Sequence, residues 1–277
     1  MSGTLPRVRL PAWVGYAIPP AASWLLWWMA FFPGVVSNDP LYQWQQIVQH
    51  RYDQIHPIFH TWLLWALTRV GHSFGTVSLV QVLLTAVLLG HGFATARRVG
   101  APAWLTWAMA AWVAVSPAYG RNVIAVWKDN PFGIATLGAA LVLLRAAEDG
   151  SLGPTHATRL GVALACMCLL RPNGAAVALP TFALLAGRFW RGSRLEVMRA
   201  GGLCLALVVI VSIAAHARGV HRAPPGVSQQ PLIQPIAALV RAGTAMSPSD
   251  RRALEEVAPV GAWGGCTCER IDQALVY

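Results

Sequence analysis

Acidic side chains are scarce in this chain, and lysine is nearly absent. The first 147 residues contain three carboxylates, Asp39, Asp53 and Asp129, and Lys128 is the single lysine of the sequence. Charged residues make up 12% of the 277 residues and hydrophobic residues 56%, which is more apolar surface than one soluble core can bury. The composition therefore predicts a membrane protein, in which so few ionisable groups indicate a functional site.

Several functional classes lack their sequence signatures. There is no phosphate-binding glycine loop, no zinc-protease motif and no internal repeat typical of a two-halved transporter. Cys266 and Cys268 are too sparse for a zinc site, and the other three cysteines fall in predicted spans as packing residues. The net charge of +10 comes largely from arginines that flank apolar segments, where they act as orientation signals, so we expect no nucleic-acid partner.

Repeated apolar stretches near bilayer length predict an all-α fold, a polytopic membrane helix bundle of about seven transmembrane helices. The predicted spans are residues 13–36, 74–95, 103–115, 131–144, 160–170, 174–189 and 197–215. In this assignment Arg97 and Arg98 lie on the same side as Arg7 and Arg9, as the positive-inside tendency requires. The amino terminus is then cytoplasmic.

The segment from Pro57 to Val70 is apolar but too short to span a bilayer. We expect it to form an interfacial or re-entrant helix within a first outer loop, residues 37–73. Residues 1–216 then form a transmembrane module, and residues 217–277 form a short non-cytoplasmic tail that could be the remnant of a longer protein. In that tail, the spacing of Ser247, Pro248 and Asp250 predicts a helix start, with the helix reaching about Val257.

The first outer loop contains Asp39 and His56. At the mouth of the first span, partial desolvation can raise the pKa of Asp39 and make it a useful general base. Asn38 or Asp39 could instead simply cap a helix led by Pro40, and His56 could be only the residue ahead of the interfacial helix. Asp53 lies in a polar stretch and is expected to be solvated.

A second outer segment, residues 116–132, contains Arg121, Lys128 and Asp129. The two cations could hold a phosphate while Asp129 fixes the lysine or binds a hydroxyl, although an interfacial ion pair with Trp127 as a membrane anchor is the simpler alternative. Arg171 stands in a short turn between two apolar helices, where a charge is costly without an anionic partner, which favours a functional role.

These motifs resemble the GT-C superfamily of membrane glycosyltransferases. The resemblance rests on Asp39 after the first span, the His56-Pro57 helix start, the glycine break at residues 71–75 and the Arg97-Arg98 end of the next span. Further motifs resemble a bacterial branch related to the protein-mannosyltransferase and aminoarabinose-transferase type, over about residues 13–245. They are Pro33-Gly34 with Asp39 and Gln45, the sequence from Lys128 to Phe132, and the sequence from Arg171 to Gly174.

The resemblance implies a GT-C-like fold and a polyprenyl-phosphate sugar as donor, with a glycan, lipid or protein as acceptor. Asp39 would be the general base in an inverting transfer, and Lys128 with Arg171 would neutralise the departing phosphate. His56 and Asp129 would orient these groups or the sugar. Two further positions, Arg121 and Asn173, would bind substrate. No cofactor and no obligatory divalent metal are expected.

Two other classes stay open at this stage. A transporter or flippase-like lipid-binding protein would place ionisable residues along a path through the membrane. A non-catalytic membrane subunit would leave its charges dispersed over the surface. Convergence of Asp39, Lys128 and Arg171 in one outer cavity would favour the transferase.

Overall fold

The computed structural model describes residues 10–222, 230–256 and 259–264, and helices are the regular elements formed by these residues. The helices are α1 (Ala12–Ala30), α2 (Asn38–Gln49), α3 (Ile58–Gly71), α4 (Phe74–Arg98), α5 (Ala103–Val115), α6 (Pro117–Val123), α7 (Asp129–Glu148), α8 (Pro154–Leu170), α9 (Ala175–Ala217), α10 (Gln230–Arg241), α11 (Pro248–Glu255) and α12 (Val260–Gly264). The predicted all-α membrane helix bundle is confirmed. Arg7, Arg9, Cys266 and Cys268 lie outside the described residues.

Within the described residues, three helices are long and apolar enough to cross a membrane: α4, α7 and α9. Helices α5 and α8 are apolar but shorter, and α1 has 19 residues, none of them charged. The 43-residue α9 is two segments, because Ser193 has non-helical angles of φ −142° and ψ 42°. A Cβ on Gly201 would lie 2.9 Å from the Phe182 ring, so the two segments pack on each other. They correspond to the predicted spans 174–189 and 197–215.

The first span is shorter than predicted, ending at Ala30 instead of Val36. Gly34 follows with φ +111°, a conformation that a helix cannot continue. Helices α2 and α3 then lie between α1 and α4, and α3 occupies the segment that was predicted to form a helix too short to span a bilayer.

Contacts between helix ends define two ends of the bundle, since the end of α1 contacts the start of α4 through Trp28 and Gly75, and the end of α4 contacts the end of α7 through Arg98 and Glu148. The end where α1 finishes and α7 begins contains Asp39 and Lys128, and we call it the Asp39 end. At the opposite end, Arg98 forms an ion pair with Glu148 at 3.2 Å, and the Trp13 ring stacks on His91. We call this second end the Arg145 end, after the last arginine of α7.

The core of the bundle is built from aliphatic and small side chains. The largest cluster joins α7, α8 and both segments of α9 through fully buried residues such as Leu160, Met167 and Leu185. A Cβ on Gly161 would lie 2.8 Å from the carbonyl oxygen of Ala200, so glycine allows α8 to approach α9 closely. Large apolar side chains on the outer face of α9 stay exposed, among them Leu184, as expected for a surface that lipid solvates.

Residues 53–55 and the described residues after Val220 form a second compact unit. Within it, Asp53 pairs with His221 in an isolated parallel bridge, and the Asp53 carboxylate accepts a hydrogen bond from the amide of Ile55 at 3.0 Å. The predicted helix start at Ser247 is confirmed, since its Oγ accepts a hydrogen bond from the amide of Asp250. That helix, α11, ends at Glu255.

Candidate active site

A short backbone bridge brings together the segment after α1 and the segment after α6. The amide of Val35 donates to the carbonyl of Ile124 at 3.2 Å, and the amide of Val126 donates to the carbonyl of Val35 at 2.9 Å. Gly34 makes this possible because a Cβ there would lie 2.5 Å from the Ile124 carbonyl oxygen. Just beyond the bridge, Trp127 Nε1 donates to Ser37 Oγ at 2.8 Å. The residues that follow the bridge in the two segments, from Ser37 and from Trp127 onwards, are thereby held side by side.

Asp39 and Lys128 meet next to this bridge. Lys128 Nζ donates a hydrogen bond to Asp39 Oδ2 at 2.9 Å, and the same oxygen lies 3.7 Å from His56 Nδ1. Lys128 Nζ is also 3.5 Å from His56 Nδ1, so the three side chains form one cluster. Lys128 and His56 are largely buried, with 22% and 15% of their side chains exposed, whereas 49% of Asp39 is exposed. The carboxylate is the accessible member of the group.

Asp39 is not the cap of α2. Ser37 occupies the N-cap position and makes no side-chain capping bond, and Asp39 lies in the first turn of the helix. There the partial positive charge of the helix start favours an ionised carboxylate. The pairing with Lys128 therefore accounts for the side chain of Asp39 better than the capping alternative.

The direction of the Asp39 pKa differs from the sequence expectation. Burial raises the pKa, as expected, but the hydrogen bond from Lys128 and the neighbouring His56 and Lys128 charges outweigh it and lower the pKa below 3.8. Asp39 is therefore ionised throughout the neutral and mildly acidic range. It is available to accept a proton, although it is a weaker base than a carboxylate with a raised pKa.

A buried polar pair supports the cluster, and the sequence analysis missed it. His60 Nδ1 lies 2.8 Å from Gln43 Oε1, and Gln43 Nε2 donates to Thr61 Oγ1 at 3.0 Å. Because the Gln43 amide nitrogen is used on Thr61, its oxygen accepts the hydrogen bond from the His60 ring. Gln43 follows Asp39 by one turn of α2, and His60 lies in the first turn of α3, four residues after His56, so the pair fixes α2 against α3. This i, i+4 repetition was the signal available in the sequence.

His60 is neutral in this environment. Burial, together with the positive charges of Lys128 and His56, lowers the pKa of His60 to about 3. Its Nε2 atom is buried and has no hydrogen-bond partner among the described residues. The ring therefore serves to position α3 rather than to exchange protons near neutral pH.

A second ion pair begins at the residue after Lys128. Arg171 Nη1 lies 2.6 Å from Asp129 Oδ1, and its guanidinium lies 5.7 Å from the centre of the Phe132 ring. The anionic partner expected for Arg171 is thus Asp129, which pairs with this arginine instead of with Lys128. A Cβ on Gly174 would overlap the carbonyl of Met167, so glycine allows the tight turn that directs Arg171 towards α7.

The other two predicted site residues do not join these pairs. Arg121, on α6, is exposed and forms no ion pair within the described part of the chain. Asn173 is exposed in the turn before α9, where its carbonyl accepts a hydrogen bond from the amide of Ala176. No group of three or more histidine, cysteine or carboxylate side chains that could hold a metal ion occurs among the described residues.

A family model of the dolichyl-phosphate-mannose-protein mannosyltransferases matches residues 55–216, more than half of the chain. The chain belongs to this family. It is therefore a membrane glycosyltransferase of the GT-C type, whose substrates include a lipid-linked sugar donor. No curated protein and no solved structure matches the chain.

The family match covers part of the cluster. In this mannosyltransferase-family member, His56, Lys128, Asp129 and Arg171 lie within the matched residues, whereas Asp39 precedes them. Asp39 is tied to the matched region by its contact with Lys128, 89 residues further along the chain. The geometry thus links the one exposed carboxylate of the cluster to residues of the family domain.

Proposed function

We propose that the chain transfers a sugar from a polyprenyl-phosphate donor to an acceptor hydroxyl, with inversion at the anomeric carbon. The observation that carries the proposal is the cluster of Asp39, Lys128 and His56, joined to the Asp129–Arg171 pair by consecutive residues. These residues supply an accessible ionised carboxylate, Asp39, and two cations, Lys128 and Arg171. The proposed reaction requires a base and cations of this kind. Their gathering at one end of the bundle favours transfer over a polar path through the membrane.

Asp39 acts as the general base in this proposal. The contacts with Lys128 and His56 are both made through Oδ2, and about half of the side chain is exposed, so in this proposal Oδ1 receives the incoming hydroxyl. The carboxylate accepts the hydroxyl proton while the acceptor oxygen bonds to the anomeric carbon from the face opposite the phosphate. The bond between that carbon and the phosphate oxygen breaks, and its electron pair leaves with the phosphate.

Lys128 and Arg171 stabilise the departing lipid phosphate, which gains negative charge as the glycosidic bond breaks. Both cations are held by carboxylates, Lys128 by Asp39 and Arg171 by Asp129, so each is preorganised before substrate arrives. His56 and Asp129 orient these groups or the sugar. Exposed Arg121 and Asn173 are available for contacts with the donor or acceptor.

The same proposal assigns the membrane orientation. The Asp39 end faces the outside, the amino terminus is cytoplasmic, and residues 1–216 form the catalytic module with residues 217–277 as an outer tail. A bacterial donor and acceptor of the aminoarabinose-transferase type fit this orientation. Because Lys128 and Arg171 neutralise the phosphate of the donor, the proposed transfer requires no divalent metal.

The test is sugar transfer by the purified full chain from a panel of polyprenyl-phosphate sugars. Native protein is compared with Asp39→Asn, which keeps the size of the side chain and removes its ability to accept a proton at neutral pH. We expect turnover by the native protein and a loss of about 10²-fold or more in the variant, the usual contribution of a positioned base. Gly187→Ala, on an open face of α9, serves as the matched control.

The two possible failures are distinguishable. Equal turnover by native protein and Asp39→Asn would remove Asp39 as the base while leaving the transferase assignment intact. No turnover by correctly folded native protein with any donor of the panel would refute a polyprenyl-phosphate donor. NMR of the product settles the stereochemistry, since retention at the anomeric carbon would contradict the single displacement proposed.

A further inference from the structure

A cavity of about 610 Å³ lies among α3, α4, α7 and α8. Its walls are largely aliphatic and aromatic, with Phe59 and Leu170 towards the Asp39 end. The opposite part of the lining is cationic, since Arg145 and Arg159 belong to it together with His91 and His156. The cavity therefore combines an apolar body with one basic end.

The basic end has no role in the proposed transfer. Arg145 follows Asp129 by 16 residues of α7, which separates the two backbone positions by about 24 Å along the helix. The Asp39–Lys128 cluster and the Asp129–Arg171 pair both lie at the other end of the bundle. A substrate phosphate held by Lys128 cannot at the same time contact Arg145.

The two arginines at this end have no anionic partner within the described residues. The nearby carboxylates of Glu148 and Asp149 lie instead against Arg98, at 3.2 Å, and against His156, at 3.8 Å. Arg145 Nη2 lies 3.4 Å from His91 Nδ1, and neither Arg145 nor Arg159 forms an ion pair within the described residues. His156 Nδ1 is buried without a hydrogen-bond partner among the same residues. Arg159 is exposed and Arg145 is partly buried, so both guanidiniums are accessible to an anion that enters the cavity.

Arginines near helix ends are also orientation signals, and that alternative explains other positions better. Arg188 lies on the Phe189 ring at 5.2 Å, and Arg194 lies on the Trp190 ring at 5.3 Å, away from the cavity lining. An orientation signal acts from any side-chain position near the membrane surface. It does not require two arginines to line the end of an apolar cavity.

We propose that this cavity binds an anionic phospholipid from the leaflet at the Arg145 end. The guanidiniums of Arg145 and Arg159 hold the phosphodiester, for which their planar forks are suited, and an acyl chain lies along the apolar walls. From Arg145 back to Pro131, α7 extends for about 21 Å, longer than the roughly 15 Å of hydrocarbon in one leaflet. An acyl chain of ordinary length therefore fits within the cavity.

The experiment measures lipid retention by native mass spectrometry of the full chain released from nanodiscs. The nanodiscs contain phosphatidylglycerol or phosphatidylcholine, and Arg145→Gln/Arg159→Gln is compared with the native protein. The matched control is Arg188→Gln/Arg194→Gln, which removes two charges that do not line the cavity. We expect the native protein and the control variant to retain phosphatidylglycerol in preference to phosphatidylcholine. The cavity variant should retain roughly tenfold less phosphatidylglycerol than the native protein.

Three results would overturn the proposal. Equal retention of the two lipids by the native protein would remove the head-group contact, and equal losses in both arginine variants would show a general charge effect. In nanodiscs that also contain polyprenyl phosphate, loss of polyprenyl phosphate but not phosphatidylglycerol from the cavity variant would identify the occupant as the substrate lipid. Lys128→Gln separates this site from the transfer site, because it should leave phosphatidylglycerol retention unchanged whether or not the chain transfers a sugar.

Discussion

Replacing Lys128 with glutamine removes the cation closest to the Asp39 carboxylate. In the native chain Lys128 Nζ lies 2.9 Å from Asp39 Oδ2 and 3.5 Å from His56 Nδ1. Glutamine keeps much of the side-chain volume and a hydrogen-bond donor but not the charge. The substitution therefore tests the electrostatic part of the proposed mechanism with little change in packing.

The effect on stability should be small. Two unit charges at 2.9 Å attract by about 6 kcal/mol at an effective dielectric of about 20. Solvent screening of the 49% exposed Asp39 side chain and desolvation of Lys128 reduce the net contribution to about 1 kcal/mol or less. The effect on turnover should be much larger, about 10²-fold to 10³-fold, because a cation facing the leaving phosphate acts mainly in the transition state.

The pH dependence supplies an independent readout. Without Lys128, burial still raises the pKa of Asp39, while the hydrogen bond and one of the charges that lower it are gone. The ionised base is lost as pH falls through its pKa, so the acidic limb of kcat/KM should move to higher pH in Lys128→Gln. The native enzyme should keep full activity to a lower pH than the variant.

The assay is transfer from a polyprenyl-phosphate sugar over a range of pH, with thermal unfolding measured in the same detergent. Arg51→Gln, an exposed cation that follows α2, is the matched control for loss of a positive charge in the first loop. Turnover of Lys128→Gln within about threefold of the native rate, with an unmoved acidic limb, would refute the role assigned to Lys128. A loss shared by the control would indicate a general effect of charge.

Three further predictions follow from the geometry. Since the pKa of His60 is lowered from 6.5 to about 3, stability is lost as pH falls below 6.5, by about 2 kcal/mol at pH 5, and thermal unfolding of His60→Gln should lack this extra loss. Gly34→Ala should destabilise by about 1 to 3 kcal/mol because φ is +111°, whereas Gly187→Ala should be neutral or stabilising; equal melting temperatures would contradict this. Transfer should survive a chelator, and activity restored only by a divalent ion would disprove metal independence.

The helix bundle was predictable because its signal is local. A bilayer requires about 20 apolar residues per spanning helix, and such stretches can be read from the sequence alone. The predicted starts near Phe74 and Ala103 coincide with the observed helices. The end of the first span was predicted wrongly, because α1 stops at Ala30 and the apolar residues that follow it up to Val36 are not helical.

The sequence alone determined that the chain is a helical membrane protein and which rare charged residues could form a site. Only the tertiary structure decided their partners, placing Asp39 against Lys128 and Asp129 against Arg171. It also reversed the expected direction of the Asp39 pKa. The reason is that apolar length is a property of contiguous residues, whereas an ion pair between residues 89 positions apart depends on how separate helices pack. The pKa then follows from the balance of burial and neighbouring charge at that packed site.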